Sequence, residues 1–259
     1  MSDKTIGFVG GGKVARILLE GFNRKELALE KVFVSDINPE VLRVLKERFP
    51  KTNVVPGNNS LPASGEIVFL ALHPPAVLPV LNEIKSSLKP EAVLISLAPK
   101  ITMARISEIL GGSTRIVRMI PNAPSIVNAG YNPVAFGDGI NPPEKQDLLD
   151  FLSALGECPV VKEETLEAYA VLAAMGPTYF WFQWEELEKL GAAFGLEREA
   201  TRQALSAMIA GAERAYFQSG LAGPEIMDLI PAKPLKDDEE DIRSRFRQRL
   251  EPLYKKIKP

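Results

Sequence analysis

The stretch KTIGFVGGGKVARILLEGF, Lys4 to Phe22, decides how this chain is read. A short β-branched and apolar run, Thr5 to Val9, leads through three glycines into an amphipathic segment from Val14 to Asn23. That is a strand, a tight turn and a helix. Gly10, Gly12 and Ala15 fit the spacing G-x-G-x-x-A, in which the first glycine makes the turn, the second lets phosphates approach and the small third residue lets helix pack on strand. The backbone N–H groups around Gly10, Gly11, Gly12, Lys13 and Val14 are then the expected cradle of a dinucleotide pyrophosphate at the positive end of the helix. An acidic residue is due roughly 20 positions further on, at the end of the next strand. Asp36, in VFVSDINPE, stands there. Its carboxylate suits the hydroxyls of the adenosine ribose and repels a 2′-phosphate, so the cofactor reading is NAD or NADP with NAD favoured, although Asn38 and Arg43 lie close enough to adjust the pocket.

Outward from this unit, apolar runs alternate with amphipathic ones. Strands are expected at Thr5 to Val9, Val32 to Ser35, Ile67 to Ala71, Val93 to Leu97 and Arg115 to Ile120, with short extended runs at Pro133 to Phe136 and Pro159 to Val161. Helices are expected at Val14 to Asn23, Pro39 to Phe49, Pro75 to Ser86 and Thr102 to Leu110. Asn38 followed by Pro39 reads as an N-cap with proline at the first helical position. After Lys162 strand formers give way to Ala, Leu, Glu and Arg, with helices expected at Thr165 to Phe194, Glu197 to Ser219 and Asp238 to Lys255. The fold class is therefore α/β: an N-terminal Rossmann-type dinucleotide-binding domain over residues 1–162, followed by an all-helical dimerisation and substrate domain over 163–259. Tyr179, Phe180, Trp181, Phe182 and Trp184 make two faces of one helix apolar, which fits one face turned inward and the other against a second copy, giving a homodimer or a larger homo-oligomer.

Composition narrows the partners. The 31 basic and 33 acidic side chains give a formal net charge of −2, which argues against nucleic acid or an anionic membrane as a general partner and for a small molecule. No apolar segment reaches the length of a membrane span. One cysteine, Cys158, cannot pair within the chain, and MSDKTIGF has no signal-like apolar run. The expectation is a reduced, cytoplasmic protein. One histidine and one cysteine far apart give no metal-ligand spacing.

Ligands of such sheets sit beyond the carboxyl ends of the strands, so the loops there hold the remaining candidates. LALHPPAV contains Leu72, His73 and Pro74. His73, the single histidine, is either a proton donor or ribose contact, or a loop residue held beside the cofactor by two prolines. SLAPKIT places Ser96, Ala98 and Lys100 near the same edge. In RMIPNAPSIVNAG, Asn122 between two prolines is a polar group on a rigid loop, suited to an amide or ribose.

These blocks, IGFVGGGKVA, LALHPPAVLPVL, RIVRMIPNAPSIVNAG and AAMGPTYFWFQWEELEKLGAAFGLEREAT, resemble those of the pyrroline-5-carboxylate reductases in the same order over about the first 220 residues. The resemblance implies an NAD(P)H-dependent enzyme of proline formation, with a dinucleotide-binding domain and a helical domain that interlocks with its twin. The chain departs from the family's pattern at Lys13, at His73 and at Met175, where the family usually carries Asn, Lys and Ser. It departs again after EIMDLI, where the family's Ser-Pro-Gly-Gly-Thr-Thr loop is expected to hold the substrate carboxylate. Here PAKPLKDDEE, Pro231 to Glu240, has neither glycine nor threonine. Lys233 and Lys236 are either the replacement point charges or surface residues. Two further readings stay open: a related oxidoreductase acting on another small imine or carbonyl compound, and a non-catalytic dinucleotide-binding dimer.

Overall fold

The computed structural model describes residues 4–27, 29 and 31–259. In chain order the elements are β1 Thr5–Val9, α1 Lys13–Arg24, β2 Lys31–Asp36, α2 Pro39–Arg48, β3 Asn53–Pro56, α3 Ser60–Ala63, β4 Ile67–Leu70, α4 Pro74–Ile84, β5 Val93–Ser96, α5 Met103–Ile109, β6 Ile116–Met119, β7 Gly130–Tyr131, β8 Val134–Phe136, α6 Pro142–Leu152, β9 Gly156–Glu157, α7 Leu166–Tyr169, α8 Pro177–Ala193, α9 Arg198–Gln218, α10 Gly223–Asp228 and α11 Glu239–Ile257.

Among the described residues, seven strands form one sheet in the order β3-β2-β1-β4-β5-β6-β8, parallel except for β8. Strands β4, β5 and β6 are buried throughout, which is why IVFL, VLIS and IVRM read as unbroken rather than alternating runs. Helices lie on both faces, and each face has its own apolar layer. One gathers Phe8, Leu18, Phe22 and Phe69. The other gathers Val68, Leu70, Val77 and Leu81. Phe8 stacks on Phe69 across β1 and β4, with ring centroids 4.7 Å apart. Chain order reverses between β1 and β4, which opens a crevice at the carboxyl ends of those two strands.

The longest expected helix is broken at its middle. A single helix over Thr165 to Phe194 is expected, but the chain forms α7, a π-turn at Ala170–Ala174 in which Met175 N–H donates to the Ala170 carbonyl, and then a new helix from Pro177. Proline lacks an N–H and clashes with the preceding turn, so the helix must restart there. Two compact units result: one runs up to Met175 and includes Leu253–Pro259, and the other is Gly176–Pro252. The boundary thus falls later than the expected residue 162. The reason is the packing of residues 163–175, where Leu166 and Ala170 join Ile120 and Ala135 in the first unit's third apolar cluster. The second unit is helical. Gly191 of α8 meets Thr201 of α9 so closely that an added Cβ would lie 2.4 Å from the threonine methyl.

Strand β3 and helix α6 are additions to the sequence reading, and Pro159 to Val161 is a single bridge from Val160 to Val134 rather than a strand. No helix among the described residues is long and apolar enough to cross a membrane.

Candidate active site

The glycine turn is built by three glycines with different tasks. Gly10 has φ 101°, a conformation L-residues avoid, and its N–H donates to the Ser35 carbonyl at 2.9 Å. A Cβ there would lie 2.5 Å from the Ala71 carbonyl oxygen, so the position is closed by β4 and by Leu72, whose side chain lies over it. Gly11 is enclosed by Val34 and Leu42. Gly12 differs: it is the N-cap of α1 with an ordinary φ of −68°, and a Cβ on it would meet nothing within 4 Å. No side chain caps α1. The N–H groups of Lys13 and Val14 are among those that a helix start leaves without an intrahelical partner, and they face the positive end of the helix dipole. Open space, free N–H groups and a partial positive charge meet at one point, which fits a pyrophosphate.

Asp36 ends β2 beside this turn and is committed to it. Its Oδ2 accepts the Gly11 N–H at 2.9 Å and its Oδ1 accepts the Asn38 N–H at 2.8 Å, while its carbonyl accepts Gly57 N–H at 3.0 Å. The carboxylate therefore props the glycine turn as well as standing where a ribose would come. Asn38 caps α2 by accepting the Glu40 N–H. Arg43 is bound by Glu40 at 2.6 Å and by Glu47, and these neighbours raise its pKa further, so its charge is already compensated on its own helix. Ser35 Oγ donates to Asn59 Oδ1 at 2.7 Å, which ties β2 to the start of α3.

Along the same edge, His73 is exposed at the N-cap of α4 and Pro74 is that helix's first residue. Ala98, buried, follows β5. Asn122 follows β6, is 8% exposed, and its Oδ1 accepts the Tyr131 N–H at 3.0 Å. The side chain thus spends its oxygen on the loop and keeps its amide N–H groups as donors. Asn132 Oδ1 accepts from both Asn122 N–H at 3.0 Å and Ser125 Oγ at 2.9 Å, so the turn is held by a buried polar knot. Burial and the neighbouring Tyr169 raise the pKa of Tyr131.

Lys233 and Lys236 belong to the second unit. They line a groove of about 960 Å³ with Met227, Leu235, Ile242 and Phe246. Lys233 Nζ lies 3.3 Å from Asp228 Oδ1. Arg243 and Arg247 line the same groove, bound to Glu239 and Glu240 respectively. Sequence reasoning passed over these two arginines because they lie one to two turns past the quoted segment PAKPLKDDEE, on the helix that starts at its end. Among the described residues no group of three or more His, Cys, Asp or Glu is placed to hold a metal ion.

A doubly wound sheet with a glycine turn open at Gly12 and an acidic residue at the end of β2 defines a nicotinamide-dinucleotide-dependent oxidoreductase. Consistent with this, the sequence profile of the family described as NADP oxidoreductase coenzyme F420-dependent matches residues 5–100. The pyrroline-5-carboxylate reductase of Escherichia coli (strain K12) is 24% identical over 229 residues, covering 88% of this chain and 85% of that one. A pyrroline-5-carboxylate reductase structure from Coxiella burnetii is 26% identical with a TM-score of 0.70, covering 98% and 94% of the two chains. The Plasmodium falciparum pyrroline carboxylate reductase solved with NADP bound shares the fold at TM-score 0.85 and 22% identity, covering 100% and 98%. The chain is thus similar to pyrroline-5-carboxylate reductases over most of its length.

Proposed function

We propose that this protein is an NAD(P)H-dependent reductase that delivers hydride to the imine carbon of pyrroline-5-carboxylate and so forms proline; its relatives are named pyrroline-5-carboxylate reductases. The observation that carries the reading is the open face of Gly12 at the uncapped start of α1, inside a chain matched to these reductases over most of its length. When bound, the nicotinamide supplies the hydride. The protein's share is positioning and exclusion of water. In this reading the N–H groups of Gly12, Lys13 and Val14 take the pyrophosphate, Gly11 keeps its N–H on Asp36, and Asp36 takes a ribose hydroxyl with its remaining lone pairs. Leu72, His73, Pro74 and Ala98 border the nicotinamide half. Asn122 offers its amide N–H groups to a substrate or ribose oxygen. A protonated imine is already electrophilic, so the ring nitrogen keeps its proton as the carbon receives hydride, and no strong general base is needed.

The finer cofactor choice in this proposal is NADH. Asp36 carries negative charge beside the ribose position, and the guanidinium of Arg43 is already paired twice. Lys233 and Lys236 take the place of the family's glycine-rich carboxylate loop. A homodimer built on α8 and α9 completes the proposal, supported by the exposure of Phe180, Trp181, Phe182, Phe194 and Phe217 on those helices and the turn between them.

The test is steady-state oxidation of NADH and of NADPH with pyrroline-5-carboxylate, for the wild-type chain and for Lys233→Ala/Lys236→Ala. Turnover with a raised KM for the imine in the double variant supports the reading. Cofactor binding without turnover of the imine overturns it.

A further inference from the structure

The loop between β5 and α5 crosses the carboxyl edge of the sheet and is held at both ends by carboxylates from a distant part of the chain. Lys100 takes φ 74°, and its N–H donates to Glu167 Oε1 at 2.9 Å. Met103, the first residue of α5, donates its N–H to Glu163 Oε1 at 2.7 Å. Both carboxylates are gathered by one guanidinium. Arg118, on β6, donates from Nη1 to Glu163 Oε1 at 3.0 Å and from Nη2 to Glu167 Oε1 at 2.6 Å, and the same Nη2 lies 3.5 Å from the Ala98 carbonyl. Each of these oxygens thus accepts one N–H from the loop or helix start and one from the arginine.

The side chains of Arg118 and Glu167 are 1% and 0% exposed, and Glu163 is 26% exposed. A buried ion pair is a poor stabiliser relative to apolar side chains of the same volume, because desolvation consumes most of the attraction. Its distinctive contribution is geometric. A non-glycine residue held at positive φ is strained and persists where its surroundings over-determine it. Here a charge-assisted bond to Lys100 N–H does so, and the arginine fixes the carboxylate that makes it. The loop so fixed follows β5 directly beside the crevice at β1 and β4.

We propose that Arg118, Glu163 and Glu167 are positioning residues that hold Ala98–Lys100 in the one conformation that receives the nicotinamide half of the cofactor. The proposal rests on the reading of the cleft as an NAD(P)H site, and it adds a division of labour: the glycine turn binds the adenosine and pyrophosphate half, and this network governs the other half.

The experiment compares dissociation constants of the full-length wild-type protein, Glu167→Gln, Glu167→Ala and Glu163→Gln for NADH and NADPH and for the fragments ADP and its 2′-phosphate, which lack the nicotinamide. Glu167→Gln keeps the shape and removes the charge. It is expected to weaken NAD(P)H by about tenfold, the scale of one lost charge-assisted hydrogen bond, and to leave the fragments within about twofold. Glu167→Ala follows the same pattern more strongly. Glu163→Gln, at the partly exposed carboxylate, is expected to weaken NAD(P)H by about threefold with the fragments again unmoved. It carries the test if the Glu167 variants do not fold. Equal weakening of fragments and complete cofactors, or no change in either, overturns the proposal and leaves the network a structural tie. A wild-type chain that binds neither class overturns the cofactor reading itself.

Discussion

Gly10 and Gly12 are two residues apart, and substituting each by alanine separates folding from cofactor binding. At Gly10 the methyl would sit 2.5 Å from the Ala71 carbonyl oxygen, where non-bonded carbon contacts settle at about 3.5 Å or more. The backbone would also hold an L-residue at φ 101°. Backbone strain of about 1–3 kcal/mol and overpacking of about 1–3 kcal/mol give a loss of roughly 2–6 kcal/mol. For a unit of this size that lowers Tm by about 4–24 °C. At Gly12 the same methyl meets nothing within 4 Å and φ is −68°. The cost there is that of alanine for glycine at an N-cap, about 1 kcal/mol or less. The methyl does enter the space assigned to the pyrophosphate, and a tenfold loss of affinity corresponds to about 1.4 kcal/mol. Gly12→Ala is therefore expected to keep its Tm within about 4 °C and to bind NADH at least about tenfold more weakly, and Gly12→Val more weakly still. Differential scanning fluorimetry and cofactor titration read the two quantities. A Gly12→Ala protein that binds NADH like wild type would refute the phosphate assignment, and a Gly10→Ala protein as stable as wild type would refute the steric reasoning.

Burial pushes the Cys158 thiol up to about 11, so iodoacetamide at pH 8 is expected to modify the native protein far more slowly than the urea-unfolded chain, and equal labelling rates would contradict this. Glu20 is 6% exposed and Arg48 holds its carboxyl below the usual range by hydrogen bonding. Its contribution is present above the unfolded carboxylate pKa and disappears as pH falls through the lower folded value, so Arg48→Ala is expected to move acid unfolding to higher pH; because Arg48 is 62% exposed the loss at pH 7 is about 1 kcal/mol or less, and an unchanged acid midpoint would count against the pair. Phe182, 64% exposed on α8, is expected to lie in the dimer contact, so Phe182→Glu should reduce the mass measured by light scattering to the 28.4 kDa of one chain, whereas a wild type already at that mass would remove the dimer from the account.

Much of the first unit is legible in the sequence because its signals are local. The strand, glycine turn and helix from Thr5 onward, the cap at Asn38 with Pro39, and the buried runs IVFL, VLIS and IVRM all carry their meaning within a few residues. Helix α6 was equally available: Asn141, Pro142 and Glu144 form a capping box with proline at the helix start, a pattern the reading of the periodic runs passed over. Strand β3 gives a weaker signal, since NVVP is short, ends in proline and occupies a sheet edge where such residues are tolerated. The interruption at Gly176 and Pro177 was legible too, and was outweighed by the helical composition on either side. The site divides in the same way. Gly12 and Asp36 announce themselves by spacing, but the bond from Gly11 to Asp36 does not, and neither does the cluster of Arg118 with Glu163 and Glu167, whose members lie 45 and 49 residues apart. A buried arginine in a strand reading IVRM was its one trace in the sequence.

The central claim is hydride transfer to the imine carbon of pyrroline-5-carboxylate from the nicotinamide of a cofactor whose pyrophosphate rests on the glycine turn. The direct measurement supplies the wild-type protein with pyrroline-5-carboxylate and cofactor deuterated at the reactive carbon of the nicotinamide, and examines the product by mass spectrometry and NMR. The account predicts proline carrying one deuterium at the former imine carbon, in an amount equal to the cofactor oxidised. Proline without deuterium, or bound cofactor with no proline formed, would contradict it.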